Sequence, residues 1–198
     1  MTSKVEQKER THASILASAE RMLRAKGIVG ARVADVMKGA GLTVGGFYAH
    51  FASKEALVDD VIRRTAATMR VRLFAGLDDK EEADRAEVVL KRYLSAQHRD
   101  QVEQGCPFPS IVGEIATGAP EHRDVLADQV GAFAAELERL LPRGDALQRR
   151  HLALALFALM VGGLSVARAL RGTELSDEVL RACRAFGRAA LSEDRRTR

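Results

Sequence analysis

Five histidines, two cysteines and a run of small residues around Gly45 are where this sequence could do chemistry. Glu9 and His12 have the spacing of half a di-iron site on a helix. That site needs a second such pair, and the residues three before His98, His122 and His151 are Ser95, Ala119 and Gln148. No HExxH, GxSxG or phosphate-binding GxxxxGK run occurs, so neither an enzyme nor a metal or cofactor is expected. Cys106, between Gly105 and Pro107, is expected at the N-cap of a helix, where the helix dipole favours a reactive thiolate. Its blander alternative is a small residue at a bend. Cys183 falls on an apolar stripe and is expected to pack.

The small residues carry a different chemistry. Val33, Val36, Met37 and Ala40 repeat at helical spacing and end at Gly41, and a second short helix is expected over about 44–51. Two short helices joined by Gly41-Leu42-Thr43 have the form of a helix-turn-helix, whose second helix enters a major groove. Gly45 and Gly46 would let backbone amides approach phosphates closely. The Tyr48 hydroxyl and His50 are placed to reach phosphates, Phe51 to face the core, and Lys54 to add charge at the next helix start. A generic helical hairpin, in which the glycines only permit tight packing, has the same spacing and remains open.

Helices must hold these residues, since no stretch alternates like a strand. The first is expected over about 9–26, with Ile15, Leu16, Ala19, Met22 and Leu23 inward and a stop at Gly27. Ser53 caps a long helix carrying Leu57, Val58, Val61, Ile62 and Met69 to Gly76, and the acidic run 78–82 follows as a linker. Asp84 and Glu87 form a capping-box pattern for a helix reaching about Gln101. Pro107 opens the sixth helix. The seventh ends at Pro142 and Gly144. Asp145 caps the eighth, about 146–171, closed by Gly172, and Ser176 caps the ninth, before the charged tail SEDRRTR. Nine helices with a boundary near Gly76 make an all-α protein of two parts.

The 198 residues carry a net charge of +4, yet residues 1–72 hold thirteen lysines and arginines against seven acids. A basic first third suits a polyanion such as nucleic acid, although scattered solvated charge is the plainer reading. The polar start MTSKVEQKERTH has no secretory pattern, and the uncharged run from Leu152 to Ala167 is short for a bilayer, so a cytoplasmic protein without a membrane span is expected.

The run AGLTVGGFYAHFASKEAL, preceded by VADVMKG, resembles the signature of the TetR family of bacterial transcriptional regulators over about residues 10–60. The resemblance implies a helix-turn-helix DNA-binding domain at 1–53, a connecting helix at 54–76, and a ligand-binding and dimerisation domain at 77–198. It places Arg32, Thr43, Val44, Gly45, Gly46, Tyr48, His50 and Lys54 toward double-stranded DNA. This sequence departs from the family in three places. Ala31 stands where a capping Thr is frequent, Gly39 weakens its helix by ~1 kcal/mol relative to Ala, and Val44 replaces a residue that is often polar.

The family architecture implies a small-molecule effector, for which Tyr93, His98, Cys106, Phe108, Phe133, Phe157 and Met160 are the candidate contacts; the apolar lining suggests a hydrophobic compound and Cys106 a thiol-reactive one. The last two helices have apolar faces too broad for one small domain, and Gly162-Gly163 admits a close helix, so a homodimer through Leu156, Leu164, Val179, Cys183 and Phe186 is expected. A dimer sets two recognition helices ~34–36 Å apart and requires a palindromic operator. The expectation is therefore a ligand-released repressor. The alternative is a helical protein-interaction or small-molecule-binding module without DNA binding, which would lack the salt penalty of phosphate contacts.

Overall fold

The computed structural model describes residues 3–141 and 145–196. Among them are nine α-helices and no strand: α1 (Lys4–Gly30), α2 (Val33–Gly39), α3 (Lys54–Phe74), α4 (Arg85–Tyr93), α5 (Ala96–Asp100), α6 (Phe108–Thr117), α7 (Arg123–Arg139), α8 (Ala146–Ala169) and α9 (Glu174–Arg196). The expected stop at Pro142 and Gly144 lies outside the described residues. The chain sorts into two compact units, Met1–Ala66 with Cys106–Leu126, and Ala67–Gly105 with Ala127–Arg198.

In the first unit, α1 starts earlier than expected because Ser3 and Glu6 form a reciprocal capping box. Gly27, at φ 71°, kinks the helix where a stop was expected, and one more turn runs to Gly30. The kink strips Ile28 and Val29 of helical partners, and the Glu114 carboxylate of α6 accepts both N–H groups. A Cβ on Gly27 would collide with that same carboxylate. The Ser110 hydroxyl donates to the Arg24 carbonyl at 2.6 Å, so α6 is tied to α1 at two levels. Ile15, Leu23, Val36, Met37, Phe47 and Ile62 are buried to within 1% of completely, each contributing roughly 1.5–3 kcal/mol of apolar burial. Ser53 caps α3 as expected, accepting from the Ala56 N–H at 3.1 Å. On that helix Asp59 accepts from Nδ1 of the buried His122 at 2.7 Å.

The second unit corrects several local expectations. Asp84 makes no capping bond, because it lies in helical conformation at the end of a 3-10 turn that runs directly into α4. Glu87 instead pairs with Lys91 and Arg188. The single helix expected to reach Gln101 breaks at Leu94. Ser95 caps α5 by accepting the His98 N–H, and the His98 ring satisfies the Tyr93 carbonyl left at the end of α4. Ser176 lies inside α9, buried, donating to the Ala167 carbonyl at 2.7 Å and accepting from Arg99. The helix opens two residues earlier and continues to Arg196 through the stretch read as a tail.

Asp145 and Gln148 form the capping box that opens α8. By length and composition α8 would cross a membrane. Ala153, Leu156, Phe157, Met160, Leu164 and Ala167 are nonetheless buried within the unit, as in a core helix. Gly163 is required there, since a Cβ would meet the Cys183 sulfur at 2.7 Å.

Candidate functional site

The turn after α2 closes as a full Schellman motif: the Leu42 N–H donates to the Met37 carbonyl at 2.9 Å and the Gly41 N–H to Lys38 at 3.0 Å. Gly41 stands at φ 73°, the left-handed conformation this motif requires. The next element, Val44–Ala49, is a 3-10 helix where an ordinary short helix was expected, with Gly46 bonded to Thr43 and His50 to Phe47 across three residues. Two adjacent glycines have poor helix propensity, and the tight turn is held by one fully buried anchor, Phe47. Phe51 stacks on it at 5.7 Å and faces the core as expected.

The hairpin's glycines divide cleanly. A Cβ on Gly45 would meet nothing within 4 Å, and one on Gly46 would make only an ordinary contact with Met37. Neither glycine is needed for packing inside the chain. Gly39 is: its Cβ would strike the Ser18 hydroxyl, which donates to the Val36 carbonyl at 2.8 Å and binds α1 to α2. The tight-packing explanation of the hairpin therefore holds for Gly39 and fails for Gly45 and Gly46.

Around these glycines the surface is open. Thr43 is exposed and its hydroxyl caps nothing. Val44 is exposed beside it, and Tyr48 is 74% exposed, its ring only touching Phe47 edge-on at 5.2 Å. Arg32 stands exposed at the N-cap of α2, the position the sequence reading gave to Ala31, and offers no capping acceptor. Two expected contacts are placed differently. Lys54 is half-buried, with Nζ donating to the Ile28 carbonyl at 2.9 Å, so its ammonium first serves the end of α1. His50 is half-buried with Nδ1 unpartnered. Burial, followed by the charges of His12 and Lys8, holds it below the ordinary histidine range. His12, considered in the sequence only for its spacing from Glu9, belongs to this cluster: its ring stacks on Phe51 at 4.6 Å and lies 6.0 Å from His50. Only its helical register with Ile15 and Ala19 hinted at this.

In the second unit, most of the expected effector contacts are core. Tyr93, Phe133 and Phe157 pack ring on ring with Phe74, at centroid distances of 5.2–6.3 Å, and Met160 is buried with them. Cys106 and Phe108 belong to the first unit, both 1% exposed. Pro107, not Cys106, holds the N-cap of α6. Of the candidates in this unit, His98 alone lines the open groove of about 350 Å³ between the end of α3, α4, α5 and Gly105. Met69 and Leu73 line its apolar side, and Arg72, Arg92, Ser95 and three glutamines supply the polar lining. Burial pushes the His98 imidazole down to about 4. The Tyr93 carbonyl can only accept, so Nδ1 carries the proton of the neutral ring, at 2.7 Å.

On the outside of the same unit, α8 presents Ala155, Ala158, Gly162 and Val166, and α9 presents Leu175, Ala182 and Phe186, the last 68% exposed. Leu156 and Leu164, expected in a dimer interface, are instead buried within the protomer. Helical phase decides this: they point opposite the exposed stripe. Val179 and Cys183 are half-buried at its edge, and burial raises the Cys183 thiol.

Residues 15–61 match the family described as bacterial regulatory proteins, tetR family, and residues 83–183 match the tetracyclin repressor-like C-terminal domain. No curated protein matches the sequence at a significant level. Among solved structures, the reduced form of Escherichia coli NemR is 24% identical with a TM-score of 0.76, covering 90% of this chain and 95% of its own. A TetR-family transcriptional regulator from Cytophaga hutchinsonii is 20% identical at 0.76, covering 96% and 97%. A TetR transcriptional regulator from Chloroflexus aurantiacus is 23% identical at 0.74, covering 91% and 95%.

Proposed function

The chain belongs to the TetR family of bacterial regulatory proteins and is a DNA-binding transcriptional regulator; on that premise we propose that it is a cytoplasmic, homodimeric repressor that holds a palindromic operator and leaves it when a small molecule binds. One observation carries the DNA-facing assignment: Gly45 and Gly46 have no packing reason to lack side chains, and they sit beside exposed Thr43, Val44 and Tyr48. Backbone amides at that position approach phosphates without obstruction. Tyr48, Arg32 and His50 supply further phosphate contacts, which fix register on the duplex, and Thr43 and Val44 face the base edges. In this reading residues 1–53 bind DNA, 54–76 connect, and 77–198 carry the effector and dimer surfaces.

Supporting the dimer is the stripe along α8 and α9, since a helix that leaves Ala155, Ala158, Gly162 and Val166 uncovered suits close packing against another helix. Phe186→Glu is expected to give a monomer in sedimentation equilibrium and to lose operator affinity with it; an unchanged dimer moves the interface elsewhere. A thiol-reactive effector would act at Cys106, which at 1% exposure reacts only when the first unit opens. A Cys106→Ser variant that keeps its response to electrophiles excludes that route. The test of the whole reading is selection of random duplex DNA by the purified protein across a salt series. An enriched palindrome with affinity falling steeply as salt rises supports it. No enrichment at low salt, with no small molecule extracted from the preparation, refutes it.

A further inference from the structure

The groove in the second unit carries positive charge with no acid in its lining to balance it. Arg72 and Arg92 line it, and no carboxylate does. Among the described residues neither guanidinium pairs with an acid; both bond only to backbone carbonyls. Each spends only Nη1 on this chain: Arg72 on the Gln104 carbonyl at 3.0 Å, Arg92 on the carbonyls of Leu73 at 2.6 Å and Ala75 at 2.7 Å. A guanidinium has five N–H donors in a planar fork, so those contacts leave the Nε and Nη2 donors of both arginines for something else. The neighbouring histidine adds no charge, because His98 stays neutral at physiological pH.

We propose that this groove binds an organic monocarboxylate, its carboxylate between Arg72 and Arg92 and a short apolar body against Met69 and Leu73. The inference rests on the effector reading above and names the chemistry of that effector. Charge-assisted, two-donor hydrogen bonds are what arginines offer a carboxylate and cannot offer a neutral isostere. At about 350 Å³ the groove lies at the small end of ligand sites, which fits a body of one ring or a short chain. The site also has a route to the rest of the protein. Through Nη1, Arg92 caps the Leu73 carbonyl of α3 and the Ala75 carbonyl just past it, so a carboxylate held by its other donors bears on that terminal turn.

The proposal is tested by calorimetric titration of the full-length protein with benzoate, phenylacetate and hexanoate, each beside its primary amide. At least one acid is expected to bind about tenfold or more tighter than its amide, and to lose about that factor in Arg72→Gln and in Arg92→Gln. Because Arg92→Gln also removes a helix cap, Gln101→Glu is the companion: the Gln101 side chain makes no capping bond, the change leaves both arginines, and it is expected to weaken acid binding by placing a carboxylate in the lining. Amides that bind as tightly as their acids, no binding by any acid, or variants that bind undiminished overturn the proposal. Release of the selected operator is then followed with the acid that binds. Arginine-dependent binding that leaves the operator occupied upholds the carboxylate site and overturns only its role as effector.

Discussion

Acidification should destabilise this protein through His98. The ring is buried against Tyr93 at 4.7 Å with its Nδ1–H on the Tyr93 carbonyl, and burial lowers it from 6.5 to about 4. The unfolded chain therefore takes up the proton first. The stability this neutral ring preserves is present above pH 6.5 and is lost as pH falls toward 4. Setting those two values into the linkage relation gives a loss of about 2 kcal/mol between pH 7 and pH 5, and about 3 kcal/mol by pH 4. The assay is urea unfolding at pH 7, 6 and 5 at one fixed protein concentration, since a dimer's midpoint depends on concentration. His98→Gln removes the titration; it starts less stable at pH 7 because it loses a packed ring, so the comparison is of slopes. The wild type should lose about 2 kcal/mol more than the variant over this interval. Equal slopes would refute the reasoning and would mean that the ring gains a stabilising partner on protonation.

Four substitutions probe the hairpin proposed to face DNA. Gly45→Ala and Gly46→Ala should leave unfolding midpoints unchanged or raised, because their Cβ atoms enter open space, yet lower operator affinity about tenfold or more in fluorescence anisotropy; undiminished affinity refutes the close approach of backbone to phosphate. Gly39→Ala should do the reverse of what helix propensity alone dictates: propensity favours alanine by ~1 kcal/mol, but displacing the Ser18 hydroxyl from the Val36 carbonyl should cost about 1–2 kcal/mol, a sign that urea melts decide. Tyr48→Phe should weaken binding about fivefold and by the same factor on several operator sequences, for the loss of one phosphate hydrogen bond, and a changed sequence preference would show that the hydroxyl reads a base.

Where the controlling interactions are local, the sequence was a sufficient guide. Helical spacing of Ile15, Leu16, Ala19 and Leu23 marked the buried side of α1, Ser53 and Asp145 announced the starts of α3 and α8, and Gly41 announced the turn, because a cap or a left-handed residue is decided within one turn of helix. The same locality made the helix-turn-helix and its exposed residues readable. Expectations failed where a partner distant in sequence sets the outcome. Gly27 kinks α1 without ending it because Glu114, far along the chain, receives the freed amides. Lys54 binds the Ile28 carbonyl, and Ser176 bonds to Ala167 and Arg99 in place of capping a helix.

The effector side shows the limit most plainly. Apolar side chains such as Tyr93, Phe133 and Phe157 look alike in sequence whether they line a cavity or fill a core, since both environments select for the same hydrophobicity. Tertiary packing made them core and left the groove to Arg72, Arg92 and the glutamines, residues that a sequence presents as ordinary surface. The sequence by itself determined that the chain is helical, the caps at Ser53 and Asp145 and the helix-turn-helix, all of which follow from contacts within a few residues. The tertiary structure alone decided which glycines yield to a neighbour, which apolar residues are covered, and which groove two arginines line without an acid, because each depends on which surfaces the fold brings together.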